Sequence, residues 1–289
     1  MTIADDLRVL AQGVDGLLQE RDFLQTQLTV ARADGEACAA DLAETLAALH
    51  DCRNPARGLL GWNREDARFK ARRLYYRPAN ATAMLAEVQA VVDAGQRPLV
   101  SLKSGLPLAD LPSLPPCDFA WHHEPEDDFT DAAVFRTGFD AAAALLPAGV
   151  RPVVCLMGWT FDSRSGRDPA DWLPATAQAL AVDPYNWFGV TTQTWVSPAE
   201  MLAAPLEFAR SRDLPLLIWE TNCAEDPADP NRKAGWLREL FDFVEAERIE
   251  HLVFFDAVSK PGVGKFVLFS SVQAAAVVEE AFTRPYFGG

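Results

Sequence analysis

From Arg57 onward the chain alternates short apolar runs with amphipathic helical stretches, and this alternation limits the fold more than any other feature. Strand followed by helix followed by strand is the pattern of βα units, which build parallel sheets. Eight runs qualify as strands: Leu59 to Trp62, Arg72 to Tyr76, Pro98 to Lys103, Cys117 to His123, Pro152 to Met157, Ala179 to Asp183, Pro215 to Glu220 and His251 to Asp256. The clearest helices cover Ala81 to Ala94, Asp131 to Leu146, Pro198 to Arg212 and Arg232 to Glu247, with Ser271 to Phe282 closing the chain. Eight such units in this length predict a TIM (β/α)8 barrel over residues 57–289. An open doubly wound sheet is the alternative, but no glycine-rich phosphate loop follows the first strand.

The segment before it follows another rule. Ile3, Leu7, Leu10, Val14, Leu17, Leu24, Leu28, Ala31, Cys38, Leu42, Leu49 and Cys52 follow alternating spacings of four and three, with Arg21, Gly35 and Thr45 as polar or small interruptions of the register, a coiled-coil seam persisting over about seven heptads. Residues 1–53 are therefore expected to form a helical oligomerisation segment, with an amphipathic helix folded on the barrel as the other reading. Gly13, Gly16 and Gly35 weaken the helix, and Asn54-Pro55 ends it.

Composition enters as a set of exclusions. A net charge of −15 with no basic stripe argues against nucleic acid as a partner. The five cysteines form no CxxC pair, so neither a zinc site nor a disulfide framework is expected. No apolar run reaches the length of a membrane span, and no secretory signal is apparent at Met1. The expected product is cytoplasmic as synthesised, with no cofactor.

Barrel enzymes gather their chemistry at the C-terminal ends of the strands. Here those ends carry Trp62, Lys103, the His122-His123-Glu124 run, Trp159, Asp183 with Tyr185, Glu220 and Asp256. Carboxylates closing otherwise apolar strands need a reason. Glu124 closes the fourth run and Glu220 the seventh, after Leu216, Leu217, Ile218 and Trp219. Strands four and seven face each other across an eight-stranded ring. Two carboxyls about 5–5.5 Å apart are what a retaining glycosidase needs, one protonated and one ionised. The plain reading is a salt-bridged structural pair at a barrel end. A metal cluster around His122, His123, Glu124, Glu126, Asp127 and Asp128 is disfavoured, because adjacent strand residues point to opposite faces. Trp62 and Trp159 are the better sugar platforms; Trp219 is a platform or a packing residue, and Trp121 and Trp187 also read as packing residues.

The glutamate pair and four stretches resemble the retaining β/α-barrel glycosidases, most closely the family 26 mannanase-like β-glycanases. The stretches are PLVSLK, WHHEPEDD, AVDPYNW (Asp183, Tyr185, Asn186) and PLLIWETN followed by KAGWLRELFDFV and IEHLVFFD. The resemblance runs from Leu59 to Asp256 and departs where Ala120 and Trp121 stand before the His-Glu pair. It implies Glu124 as acid/base, Glu220 as nucleophile, and a carbohydrate substrate contacted by Trp62, Lys103, His123, Trp159, Asp183, Tyr185, Trp219 and Asp256. The competing function is a non-catalytic carbohydrate-binding barrel on a coiled-coil stalk; an esterase would need a GxSxG elbow that is missing. A stalked glycan-cleaving domain suits a phage-tail setting, and an intracellular oligosaccharide-processing enzyme is the alternative context.

Overall fold

A computed structural model describes residues 58–76, 83–103, 108–256 and 266–287. The coiled-coil expectation for residues 1–53 lies outside these residues. Eight parallel strands, β1 (Leu59–Trp62), β2 (Ala71–Tyr76), β3 (Arg97–Leu102), β4 (Cys117–Trp121), β5 (Val150–Met157), β6 (Ala179–Asp183), β7 (Leu216–Ile218) and β8 (His251–Phe254), follow one another around a closed ring. Closure is made by β8 on β1, with Leu59 opposite His251 and Trp62 opposite Phe254. Among the described residues the helices are α1 (Met84–Asp93), α2 (Pro125–Asp128), α3 (Ala132–Ala143), α4 (Pro198–Ser211), α5 (Arg232–Ala246) and α6 (Val272–Ala281).

The ring departs from a regular alternation in three connections. Residues 63–70 join β1 to β2 without a helix, fewer than the dozen a parallel crossover ordinarily takes. Phe69, fully buried against Trp62 and Phe282, covers the sheet where a helix would lie. Among the described residues, a 3₁₀ segment (Leu108–Ser113) replaces the helix after β3, and three short 3₁₀ turns (Gly158–Phe161, Ser163–Ser165 and Pro169–Trp172) replace it after β5.

Side-chain alternation sorts each strand into an inner and an outer face. In β6, Ala179 and Ala181 enter the barrel interior while Leu180 and Val182 pack under the helices. The interior also holds Ala71, Leu99, Ala120, Val153, Cys155, Leu217, Trp219 and Val253. Four alanines leave space that Trp219 fills, with the buried Arg73 guanidinium stacked on its ring at 4.5 Å. Gly61 belongs to the same economy of volume: a Cβ there would press on Ala71 and Val253 at about 3 Å.

At the opposite end of the interior lies an ion-pair network. Asp118, His251 and Glu250 bring their ligand atoms within metal-chelating distance of one another. Arg151 supplies the cation there, 2.7 Å from both Asp118 and Glu250, and Arg97 joins Asp118 at 2.6 Å. Burial works against the Asp118 charge, but Arg151, His251 and Arg97 hold its carboxyl below the ordinary range. Cys117, Cys155 and Cys223 are free, buried thiols. Among the described residues no helix is long and apolar enough to cross a membrane.

Candidate active site

The nucleophile candidate sits past the end of its strand. β7 ends at Ile218, so Glu220 lies two residues beyond it rather than on its last position. Tyr75 of β2 donates to Glu220 Oε1 at 2.7 Å, and Tyr185, after β6, donates to Oε2 at 2.9 Å. Arg73 Nη2 stands 3.8 Å from Oε1. Burial pushes the Glu220 pKa up, Arg73 opposes this, the nearby Glu124 charge adds to it, and both tyrosines pull it down; the net direction is upward. Burial, with Glu220 next, holds both phenols far above their ordinary pKa, so they stay protonated donors.

Glu124 is also displaced from the position expected. β4 stops at Trp121, and the chain then turns through two left-handed residues, His122 (φ 55°) and Glu124 (φ 53°). Non-glycine residues rarely occupy that region, and a pair of them at a site marks an over-determined backbone. Pro125 starts α2 immediately afterwards, and the Glu124 amide donates to the Cys155 carbonyl of β5 at 2.9 Å. The turn aims Glu124 Oε2 at Lys103 Nζ (3.3 Å) and His123 Nε2 (3.8 Å). Asp128 lies 3.5 Å from both Lys103 Nζ and His122 Nδ1. Burial works against the Lys103 ammonium, but Glu124 and Asp128 hold it above its ordinary pKa.

Asp183 is the hinge of the cluster. Buried at the end of β6, it accepts from the Gly158 amide at 3.0 Å and lies close enough to Glu124 to feel its charge. Burial, followed by the charges of Glu124 and Glu220, raises the Asp183 pKa far above the ordinary range.

A groove of about 850 Å³ opens beside this cluster, lined among others by Trp159, Arg164, Asp183, Tyr185, Trp187 and Met201. Trp159 and Trp187 are 45% and 37% exposed, unusual for the largest apolar side chain.

The structure thus brings together Glu124, Glu220, Lys103, His123, Asp183, Tyr185 and Trp159. Three other candidates lie elsewhere. Trp62 follows the outward parity of β1 and packs between Phe69 and Phe269. Trp219 is wholly inside the barrel under Arg73 and offers no face to a ligand. Asp256 ties down the loops after β1 and β8, pairing with Arg64 at 3.2 Å and accepting from the Leu268 amide at 2.7 Å. Arg73, Tyr75 and the groove position of Trp187 were not among the candidates that the sequence offered, and Glu126 entered only within an acidic cluster. For the first two the signal was present: they stand two apart in ARRLYY, so an arginine and a tyrosine share one face of a strand whose inner face is buried.

No family model and no curated protein sequence matches the chain. Solved structures do. A GH26 β-mannanase from Bacteroides ovatus aligns with TM-score 0.58 at 11% identity, over 82% of this chain and 91% of that one. An endo-β-1,4-glucanase from Xanthomonas axonopodis pv. citri gives TM-score 0.53 at 14% identity, over 75% and 88%. A fungal β-1,4-galactanase gives 0.55 at 10%, over 79% and 89%. At these identities the likeness establishes the barrel fold, and the site must speak for the chemistry.

Proposed function

We propose that this chain is a retaining glycosidase acting on a β-linked poly- or oligosaccharide, with Glu220 as nucleophile and Glu124 as acid/base. One observation carries the reading: Glu220 is held by two phenolic donors and faced by an arginine at 3.8 Å, whereas Glu124 lies beside Lys103 and His123 and sends its charge onto Asp183. An ion-pair role would give the carboxylate a close cation. Glu220 instead has hydroxyl donors close and the cation distant, an arrangement that orients a carboxylate and leaves it able to react. The structural neighbours, named as a mannanase, a glucanase and a galactanase, point the same way.

In the first step a Glu220 oxygen attacks the anomeric carbon as the glycosidic C–O bond breaks. The Glu124 proton passes to the departing oxygen. Lys103, already 3.3 Å from Glu124 Oε2, then faces the charge left on Glu124, and the contact strengthens as that charge develops. In the second step Glu124 takes a proton from water, the water oxygen bonds to the anomeric carbon, and the Glu220 ester bond breaks. Tyr75 and Tyr185 lose one acceptor while the ester exists and regain it on release.

A screen of the full chain against aryl β-glycosides and β-glycans tests this. Glu220→Ala should abolish turnover of every substrate. Glu124→Ala should retain glycosylation by substrates with good leaving groups, and azide should restore the deglycosylation that it loses. Equal loss in both variants on all substrates, without azide rescue, would overturn the assignment. No turnover by the unaltered chain would favour a carbohydrate-binding barrel.

A further inference from the structure

Glu126 takes no part in the reaction above, yet it is almost fully buried two residues from Glu124. Its Oε1 accepts from the Met157 amide at 2.9 Å and from Thr160 Oγ1 at 2.6 Å. Asp183 accepts from the amide between them, Gly158, at 3.0 Å. Arg167 adds a second tie, donating to the Glu126 carbonyl at 3.2 Å and to Asp127 at 3.1 Å. Gly158 itself lies flush on Pro184, with no room for a side chain. Every residue flanking Trp159 is therefore pinned, while Trp159 stands 45% exposed on the groove wall.

A purely structural carboxyl would pin a segment that buries its own bulk. This one fixes a turn whose principal side chain faces outward. Arg164 stands over the Trp159 ring at 5.3 Å, yet the residue remains 45% exposed. Holding that exposed surface rigidly in the open is offset when a ligand stacks on it. We infer that Glu126 is a positioning residue that clamps the Trp159 turn to the turn bearing Glu124, keeping the Trp159 platform in register with the acid/base. This rests on the glycosidase reading for its ligand, a glycan segment lying in the groove. The clamp itself rests on the contacts. Burial raises the Glu126 pKa to about 7, so the carboxyl can serve as a neutral acceptor as well as an ionised one.

The test compares a β-linked oligosaccharide long enough to enter the groove with an aryl monoglycoside that ends short of it. In Glu126→Ala, kcat/KM should fall more for the oligosaccharide than for the monoglycoside by about tenfold, expressed in KM. Glu126→Gln retains the acceptor oxygen and should restore the ratio. Trp159→Ala should reproduce the selective loss, and the double variant should be no worse than either single one, because both remove the same platform. Equal losses on the two substrates, or additive losses in the double variant, would overturn the inference. Should Glu126→Ala fail to fold, Thr160→Val removes one of the two donors and serves instead. Amide hydrogen exchange over residues 157–161 reads the clamp without turnover: it should accelerate in Glu126→Ala and stay slow in Glu126→Gln. Unchanged exchange would contradict the clamp even if the chain hydrolysed no glycan.

Discussion

Two hydroxyls decide how Glu220 behaves. Activity needs Glu220 ionised, and its folded pKa is raised by burial against the pull of Arg73 and the tyrosines. The acid limb of the pH–rate profile should consequently lie above the ordinary glutamate range. Tyr75→Phe or Tyr185→Phe removes a donor that lowers this pKa, so the limb should move further up in either variant. Each hydrogen bond to a charged group is worth about 1.5–3 kcal/mol, so kcat/KM at acid pH should drop by roughly tenfold or more. A limb unmoved by both substitutions would mean that Glu220 does not control it. Glu126 makes a separate prediction about stability. Unfolded, it ionises near 4.5; folded, it keeps its proton to about 7. Its contribution is therefore complete below the unfolded value and disappears as pH rises through the folded one. Chemical denaturation of the unaltered chain should show stability falling between about pH 5 and pH 8 by a few kcal/mol more than in Glu126→Gln. Parallel pH profiles for the two would contradict it.

At the scale of elements, α3 shows how the site's scaffold is packed. Trp121, the last residue of β4, lays its ring on Phe135 and over Gly138, where a methyl group would overlap the indole. Alanine favours a helix over glycine by about 1 kcal/mol. Gly138→Ala should nevertheless destabilise the barrel by about 1–3 kcal/mol, because overpacking dominates. A thermal melt showing a raised Tm would refute the contact. All eight strands were legible in the sequence, because runs such as AVDPYNW and PLLIWETN switch abruptly from apolar to polar. The strand ends were less so. Glu124 and Glu220 stand past their strands because His122 and Glu124 adopt positive φ and because β7 pairs only through Ile218, and neither is written in hydrophobic periodicity. Trp62, Trp219 and Asp256 were assigned to the site by their nearness to strand ends. Parity puts Trp62 outside the ring, and the volume left by four alanines draws Trp219 within it. Glu126 was visible only as part of an acidic run, since its partners Met157 and Thr160 are distant in sequence.

For the molecule as a whole, the barrel accounts for the described residues, and the seam in residues 1–53 is a proposal about assembly. If the heptad stripe pairs chains, light scattering should find the full chain oligomeric at micromolar concentration. Deletion of residues 1–53 should then leave a folded monomer; a monomeric full chain would dispose of the coiled coil. The central claim concerns the barrel alone and admits a direct test. Activated fluoro-glycosides of gluco, manno and galacto configuration slow the breakdown of a covalent intermediate, and peptide mapping by mass spectrometry locates the sugar. The account predicts one sugar per chain, esterified to Glu220, with none in Glu220→Ala. Attachment to any other residue, or turnover of the matching β-glycoside with inverted anomeric configuration and no adduct, would contradict it.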